Sequence, residues 1–398
     1  MPSQQDEPVV VVTPRGAARL RSGHPWVYRS DLQSAHAAGP GALVAVQDER
    51  GNRIGTALYS SASEIALRFL TSATVSSDQE FLALVRERAS AALRYRQRVV
   101  ENSDAYRLIF SEADGLPGLM VDRYNDVLSL QALTQAMDQP AVKQAISTTL
   151  IEELAPSSVI ERVDPRIREL EHLPPAAPGP LYGEKTQTVF AMNGARFHYD
   201  ALAGQKTGAF LDQRENYAAA SRYARGEALD VFCYQGGFAL HLARTCSRVI
   251  GVDSSRAALE AAEQNAALNG LPEMEWIEAN AFDLLKDYAA AGQQYDTIVL
   301  DPPAFARSKR TLPAALRGYK ELNLRALKML RSGGLLVTCS CSYHVSEADF
   351  LQMLTSAAID AHRTLRLLEK RGQAKDHPAV LTIPETSYLK CVFSNVSI

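Results

Sequence analysis

The stretch Val337-Thr338-Cys339-Ser340-Cys341-Ser342-Tyr343-His344-Val345 places two of the chain's five cysteines one residue apart. Such a pair can pack a core strand, clip a metal, form a disulfide or supply a nucleophile with a neighbour. Zinc takes four ligands, and no matching His or Cys pair with usable spacing accompanies this one. At a strand rise of roughly 3.3 Å, side chains at i and i+2 stand about 6–7 Å apart, which disfavours a disulfide. Alternation puts Val337, Cys339 and Cys341 on one face and Thr338, Ser340 and Ser342 on the other. Packing and nucleophilic chemistry both stay open at this point.

Three more segments carry chemical potential. Asp301-Pro302-Pro303-Ala304-Phe305 follows the apolar run TIVL. A carboxylate at a strand's C-terminal end points into the crevice of an α/β sheet. Two prolines make the turn after it rigid, since each fixes φ and removes a backbone donor. ALDVFCYQGGFAL reads as a strand, a glycine-bearing turn and a helix, in which Gly236 and Gly237 let a ligand approach the backbone. It lacks the G-x-G-x-x-G fingerprint of dinucleotide folds. Asp253 in VIGVDSS comes about one βαβ unit later and is placed to hold ribose hydroxyls. The turn and Asp253 together favour a nucleotide-like ligand.

These residues need a scaffold. Residues 186–398 alternate strands (ALDVFCY, RVIGVDS, EWIEANA, YDTIVLDPP, LLVTCSCS) with helices (FALHLART, RAALEAAEQNAALNG, LPAALRGYKELNLRALKMLRSGG). That alternation implies an α/β, doubly wound, Rossmann-like and mainly parallel sheet. Residues 1–72 hold short β-like runs punctuated by Gly and Pro, as in a small β-barrel. Between its first two runs gather Arg15, Arg19, Arg21, His24 and Arg29, with Trp26 and Tyr28. The cluster suits a phosphate-and-stacking surface, or a solvated loop anchored by a buried Trp. Residues 73–185 read as an α+β central domain. It has a helix at FLALVRERASAALRYRQRVV, strands within RLIFSEADGLPGLMVDRYNDVLSLQAL and a helix near 138–154. The Pro-rich EHLPPAAPGP is a linker candidate.

Composition limits the partners. With 46% hydrophobic and 22% charged residues the chain is ordinary globular protein. No apolar run reaches the roughly 20 residues of a membrane helix, and no basic leader precedes the N-terminal valines. Five thinly scattered cysteines suit a reducing cytoplasm. A net charge of −3 argues against blanket nucleic-acid binding but leaves room for a local basic face.

Taken in order, the motifs carry a family resemblance. Residues 186–398 resemble a class I S-adenosylmethionine-dependent methyltransferase. Nearly the whole chain resembles the bacterial 23S ribosomal RNA cytosine-C5 methyltransferases. RSGHPWVYRSDL is similar to the opening of their N-terminal PUA domain, an RNA-binding β-barrel, and RLIFSEADGLPGLMVDRYND to their central-domain signature. KTGAFLDQREN resembles the segment before the cofactor strand, and LDVFCYQGGFAL, VIGVDSS, DPPAF, SCS and QAKDHPAVLTIPETSYLK resemble the remaining blocks. The resemblance implies S-adenosyl-L-methionine as cofactor, with no metal. Its expected contacts are Phe210, Asp212, Gln213, Arg214, Asp230, the turn from Tyr234 through Gly236 and Gly237, and Asp301. Asp253 would hold the ribose, and Asn280, Ala281, Phe282 and Asp283 would lie near the adenine, with Asp283 as an alternative helix cap. The family pattern has an acidic residue where Asn280 stands here. The implied partner is RNA, either 23S rRNA or an assembling large subunit, met by Arg15, Arg21, His24, Trp26, Phe305, Lys309 and Arg310. No membrane is implied, and a homodimer is allowed.

The implied chemistry explains the need for a thiol. Carbon 5 of cytosine is a poor nucleophile until a thiolate adds to carbon 6. By the resemblance, the cysteine of Ser-Cys-Ser is Cys341, the nucleophile; it lies nearer the strand's C-terminal end, while Cys339 is a small buried packing residue. Asp301 would stabilise charge on the ring. Cys233, Cys246 and Cys391 read as core or incidental. Related enzymes carry a second cysteine after a proline in the Asp301 block; here the residues are Pro303-Ala304. That leaves product release open, with Lys206, Lys309 and His344 as candidates. The base would be flipped out, with Phe305 stacking on it, and ARSKRTLPAALRGYK, including Arg307, Arg317 and Lys320, would meet phosphates. Two rivals remain. One is guanine-N7 methylation by a related family with a similar DPP block, which needs no Cys341. The other is a catalytically silent RNA-binding or ribosome-assembly protein.

Overall fold

The computed structural model describes residues 7–202, 208–272, 274–306 and 308–398; Lys206 and Arg307 lie outside the described residues. The chain forms two compact units. The first comprises residues 1–188, 199–208 and 375–386, and the second residues 189–198, 209–374 and 387–398.

The first unit contains a six-stranded sheet ordered Trp26–Tyr28, Ile65–Thr71, Arg53–Tyr59, Leu43–Asp48, Val9–Val12, Leu32–His36. Its inward residues Val10, Val12, Val27, Val44, Val46 and Leu67 form one cluster with Leu20. Leu20 belongs to a helix, Pro14–Arg21, which replaces the loop that the basic cluster suggested. The signal was present in the sequence: Thr13 caps the helix by accepting from Gly16 N, and Pro14 fills the first position, where no donor is needed. A five-stranded sheet in the same unit carries the helices Asp78–Val99 and Pro140–Leu154 over a common core. Residues 375–386 return to this unit late in the chain. Asp376 accepts from Arg107 N (2.8 Å), and its carbonyl accepts from buried Arg96 (2.8 Å).

The second unit is built on seven strands: β1 Glu227–Val231, β2 Arg248–Asp253, β3 Glu275–Glu278, β4 Tyr295–Leu300, β5 Leu330–Ser340, β6 Thr364–Arg371 and β7 Lys390–Ser397. Their order is β3-β2-β1-β4-β5-β7-β6. The first five pair in parallel, and β7 runs antiparallel to both neighbours. Helices α1 Arg214–Tyr223, α2 Gly237–Leu242, α3 Arg256–Leu268, α4 Ala281–Ala290, α5 Leu312–Met329 and α6 Glu347–Asp360 connect or flank them. Central strands carry near-continuous apolar runs because both faces are covered; Ile298, Val299 and Leu300 are all fully buried. The long helix ends sooner than its sequence pattern suggested. Arg331, Ser332, Gly333 and Gly334 belong to β5, where the register to β4 jumps from Leu330 to Leu335 and Gly333 takes φ +80°. A helix interior cannot accommodate that backbone.

Connections leave β1 towards β2 and β4 towards β5, on opposite sides. The gap between β1 and β4 is therefore a topological switch point, where α/β sheets bind ligands.

Candidate active site

The crevice opens at the ends of β1, β2, β4 and β5. After β1 the chain makes a tight turn in which Phe232 (φ +68°), Tyr234 (φ +49°) and Gly236 (φ +87°) all adopt left-handed backbone. Left-handed non-glycine residues store strain, which tertiary contacts must hold in place. Here they are bonds from the turn to two acidic residues. Tyr234 N donates to Asp253 Oδ2 (2.9 Å) at the end of β2, and Ala239 N in α2 donates to Asp230 Oδ2 (2.8 Å) in β1.

Asp230 is fully buried, and its other oxygen, Oδ1, has no hydrogen-bond partner within the protein. Burial pushes its pKa well up. A buried carboxylate oxygen without a partner beside a ligand crevice fits a cationic or hydrogen-bonding group such as the amino end of S-adenosylmethionine. Asp253 Oδ1 accepts from Ser255 N (2.9 Å). Each carboxylate oxygen has two lone pairs, so Asp253 keeps acceptor capacity for ribose hydroxyls. A recess beside the turn is lined by Ala209, Phe210, Tyr217, Tyr234, Gly237 and Asp301, among others. Phe210 meets Tyr234 edge-on with ring centroids 5.2 Å apart. The donor set and the recess fit the cofactor that the motifs implied.

The two glycines are needed for different reasons. A Cβ on Gly237 would lie 2.5 Å from the Tyr217 ring, and one on Gly236 would collide with Leu240 at a left-handed φ. Gly236→Ala is expected to cost about 2–4 kcal/mol, from backbone strain plus overpacking. Thermal melting and at least tenfold weaker S-adenosylmethionine binding by calorimetry would record it.

On the adenine side the structure corrects one expectation. Asn280, not Asp283, caps α4: its Oδ1 accepts from Phe282 N (2.9 Å) and Asp283 N (3.4 Å). An asparagine is as good an N-cap as an aspartate, so the family's missing acid leaves the helix start intact. Ala281 is buried, and Phe282 is exposed at the crevice end of the helix.

Asp301 follows β4 and spans the switch point, with its N–H donating to Val231 O (3.3 Å). Its Oδ1 accepts from Gln213 Nε2 (2.9 Å), and Gln213 in turn accepts from Asn216 (2.6 Å). Asp212, beside Gln213, accepts from the Tyr388 hydroxyl (2.7 Å). Enclosure and the Asp212 charge raise the Asp301 pKa to about 7, against bonds from Gln213 and Cys339 that favour its charged form. The structure thus brings Asp212, Gln213 and Asp301 together. Arg214 is buried at the start of α1.

Cys339 and Cys341 differ as their positions along the strand suggested. Cys339 is fully buried, directly opposite Cys391 across the β5–β7 pair, with the sulfurs 3.2 Å apart. It also touches Asp301 and Gln213, a contact its spacing did not foretell. Cys341 is half-buried just past the end of β5, and its thiol points at Pro302 O (3.9 Å). Burial, then Asp301 and Asp212, push its pKa up to about 12, while Lys390 pulls it down. The flanking serines hold the strand to its surroundings. Ser340 Oγ donates to Tyr319 OH (3.0 Å) on α5, and Tyr319 OH also meets Ser342 Oγ (3.0 Å). Ser342 Oγ accepts from Ala306 N (3.1 Å), which fixes the Pro-Pro turn beside the thiol.

Other sequence-predicted residues lie elsewhere or are already engaged. Phe305 packs on Tyr319 (4.7 Å) and Phe282 (6.0 Å). Lys309, Arg310 and Arg317 are exposed, and Lys320 pairs with Asp360 (2.7 Å). His344 meets the Tyr343 ring. In the first unit, Arg15 pairs with Asp31, Arg21 with Asp48, and His24 with Glu385; Trp26 Nε1 donates to Glu112 (2.9 Å). Arg19 lies over the Tyr28 ring (4.7 Å), and Arg29 donates to the Ser60 and Ser63 carbonyls. Arg15 and Arg21 remain largely exposed despite their pairs. Sequence reasoning missed Lys390, which begins β7 and donates to Ser342 O (2.6 Å) and Tyr388 O (2.8 Å).

Comparison with known proteins agrees with this geometry. Residues 10–72 match the PUA-like domain, and residues 113–389 match the S-adenosylmethionine-dependent methyltransferase family. A ribosomal RNA large subunit methyltransferase I from Photobacterium profundum is 37% identical over 379 residues, covering 93% of this chain and 95% of its own. One from Escherichia coli is 36% identical, covering 92% and 94%. The solved structure of SMU.776, a methyltransferase complexed with SAH (S-adenosylhomocysteine), superposes with a TM-score of 0.83 at 18% identity, covering 97% of this chain and 99% of that one. Its likeness is one of fold. The coverage and identity place this chain in the S-adenosylmethionine-dependent methyltransferase family, alongside the ribosomal RNA large subunit methyltransferases I and with a PUA-like domain at its start.

Proposed function

We propose that this enzyme methylates carbon 5 of a cytosine in 23S rRNA through a covalent bond between Cys341 and carbon 6. The observation that carries the reading is a lone half-buried thiol at the end of β5, lying against the Asp301-Pro302-Pro303 turn of a methyltransferase sheet. Methylation of an amine or ring nitrogen needs no thiol there; carbon 5 does.

The Cys341 thiolate adds to carbon 6, and the electron pair of the 5,6 double bond moves to carbon 5. Bound there, S-adenosylmethionine would supply an electrophilic methyl group to that carbon, with S-adenosylhomocysteine as the leaving group. A base then takes the carbon-5 proton, the double bond reforms and the thiolate leaves. Asp301, protonated up to about pH 7, donates to the ring at N3 as charge builds there. Asp230 and the Tyr234–Gly237 turn would hold the amino acid end of the cofactor, Asp253 its ribose, and Ala281 and Phe282 its adenine. Phe210 and the Asp212–Arg214 segment close the site.

Residues 1–72 serve as an RNA-binding module, 73–185 as a central domain and 186–398 as the catalytic domain. Arg15, Arg21, Lys309 and Arg310 contact phosphates, as their exposure supports. His24, Trp26 and Phe305 have packing partners of their own, so their part in RNA contact is weaker. No helix among the described residues is long and apolar enough to cross a membrane. A cytoplasmic setting follows from a ribosomal substrate.

The test is methyl transfer from labelled S-adenosylmethionine to 23S rRNA, or to large-subunit particles, from a strain lacking the modification. Mass spectrometry should find the label on carbon 5 of one cytosine. Label on a guanine would overturn the reading. Tyr319→Phe supplies a subtler check, because it deletes the phenol that holds both serines beside Cys341. It is expected to cost about 1–2 kcal/mol in denaturant unfolding and to lower kcat while leaving KM for RNA unchanged.

A further inference from the structure

The environment of Cys341 poses a problem for the chemistry just described. Two carboxylates face the thiol: Asp301 after β4, and Asp212 in the turn before α1. The Tyr319 phenol approaches from α5. The two carboxylates, when charged, disfavour a negative sulfur, and so does burial. One cation acts in the opposite sense, Lys390 at the start of β7.

Strand geometry explains how Lys390 reaches the site. Lys390 is register partner to Ser340, so its side chain sets out on the serine face, opposite the cysteines. Both strands stop there. The four-carbon stem carries the ammonium to the carbonyls of Ser342 and Tyr388, at distances of 2.6 and 2.8 Å. The Ser342 carbonyl is one peptide beyond Cys341. Two bonds to neutral carbonyls leave the positive charge uncompensated by any carboxylate that they involve. An ammonium has three donors, so a third remains beyond these two.

We infer that Lys390 is the counter-charge of the Cys341 thiolate, held beside the sulfur by the Ser342 and Tyr388 carbonyls so that the nucleophile can ionise among carboxylates. The inference rests on the covalent reading above and adds to it the residue that makes the thiolate attainable. The proton lost from sulfur goes to bulk water, and the lysine stays an ammonium throughout. Enclosure lowers the Lys390 pKa to about 8, partly offset by Cys341. The charge is present at neutral pH and is lost as pH rises through about 8.

The experiment reads thiolate directly, without RNA or cofactor. The full-length protein is treated with iodoacetamide, and the rate at Cys341 is followed by peptide mass spectrometry, with half-buried Cys246 as internal control. Lys390→Met is expected to slow Cys341 alkylation at pH 7.5 at least tenfold, relative to Cys246. Lys390→Arg keeps its charge at every pH used. Its rate at Cys341, divided by that of the wild type, should rise at least threefold between pH 7 and 9.5, as the wild-type lysine discharges. A folded Lys390→Met protein that alkylates at the wild-type rate overturns the inference. So does an arginine-to-wild-type ratio that stays flat with pH, which decides the matter even if the methionine variant does not fold. A purely structural lysine would leave that ratio unmoved. Failure of the covalent reading looks different: Cys341→Ala would still transfer methyl groups, whatever the alkylation rates.

Discussion

Cys341→Ala is expected to lower methyl transfer on the order of 10³-fold or more, since no other group takes over a removed covalent nucleophile. Cofactor binding should be unchanged, because Cys341 lies beyond β5, away from the Asp230 and Asp253 contacts. Calorimetry with S-adenosylmethionine separates the two effects. Cys341→Ser should be nearly as poor, as a hydroxyl ionises far less readily than a thiol. Cys339→Ala should keep activity within about tenfold, through a small cavity and a lost contact to Asp301. RNA carrying 5-fluorocytosine at the target offers a positive readout. With no carbon-5 proton to lose, the adduct cannot resolve, and a denaturant-resistant protein–RNA complex should accumulate in wild type and be absent from Cys341→Ala. Full activity in Cys341→Ala would rule out the covalent route.

Asp301→Asn should separate activity from stability. The asparagine keeps an oxygen for Gln213 but cannot ionise or hand a proton to the ring. Methyl transfer is expected to fall about 10²–10³-fold, the usual effect of losing one preorganised charge-stabilising group. Stability should move the other way. The folded Asp301 holds its proton up to about pH 7, whereas its ordinary value is 3.8. Between these values the native state binds more protons than the unfolded chain. Stability therefore falls as pH climbs from about 4 to about 7, and the full penalty is present above that. Its ceiling is about 4 kcal/mol at pH 8, at about 1.4 kcal/mol per pKa unit. Asp301→Asn should thus melt above wild type at pH 8, with the gap closing towards pH 4. Equal melting temperatures at both pH values would remove the physical basis given for the raised pKa. A carboxylate kept despite this cost is best understood as serving the reaction.

Much of the second unit was legible because its signals are local. β1, β2 and β4 are apolar runs with Asp230, Asp253 and Asp301 at or just past their C-terminal ends, and a strand-helix alternation leaves few topologies open. Alternation put both cysteines on one face, and position along the strand separated the inner, buried Cys339 from the outer, half-buried Cys341 without any coordinates. What stayed hidden is set by long-range pairing. Lys390 enters the site because β7 lies antiparallel to β5, and nothing local in TSYLKCVF announces that neighbour. The same holds for Asp376, which bonds Arg107 N from 269 residues away. Charge clusters were legible only in part. Among the basic residues near the N-terminus, Arg15, Arg21 and His24 each face a carboxylate from Asp31, Asp48 or Glu385, while Arg15 and Arg21 stay largely exposed. Sequence shows a cluster's sign and not its counter-ions. The Thr13-Pro14 helix start and the Asn280 cap, by contrast, follow ordinary capping rules.

The position of β7 has a consequence for biogenesis. It is inserted between β5 and β6, although the ribosome makes it after both. Until Lys390–Ser397 has been synthesised, β5 has an open edge along Leu335, Leu336 and Val337, an apolar template for pairing with other chains. The sheet cannot be completed in chain order, because β7 must enter between two strands made before it.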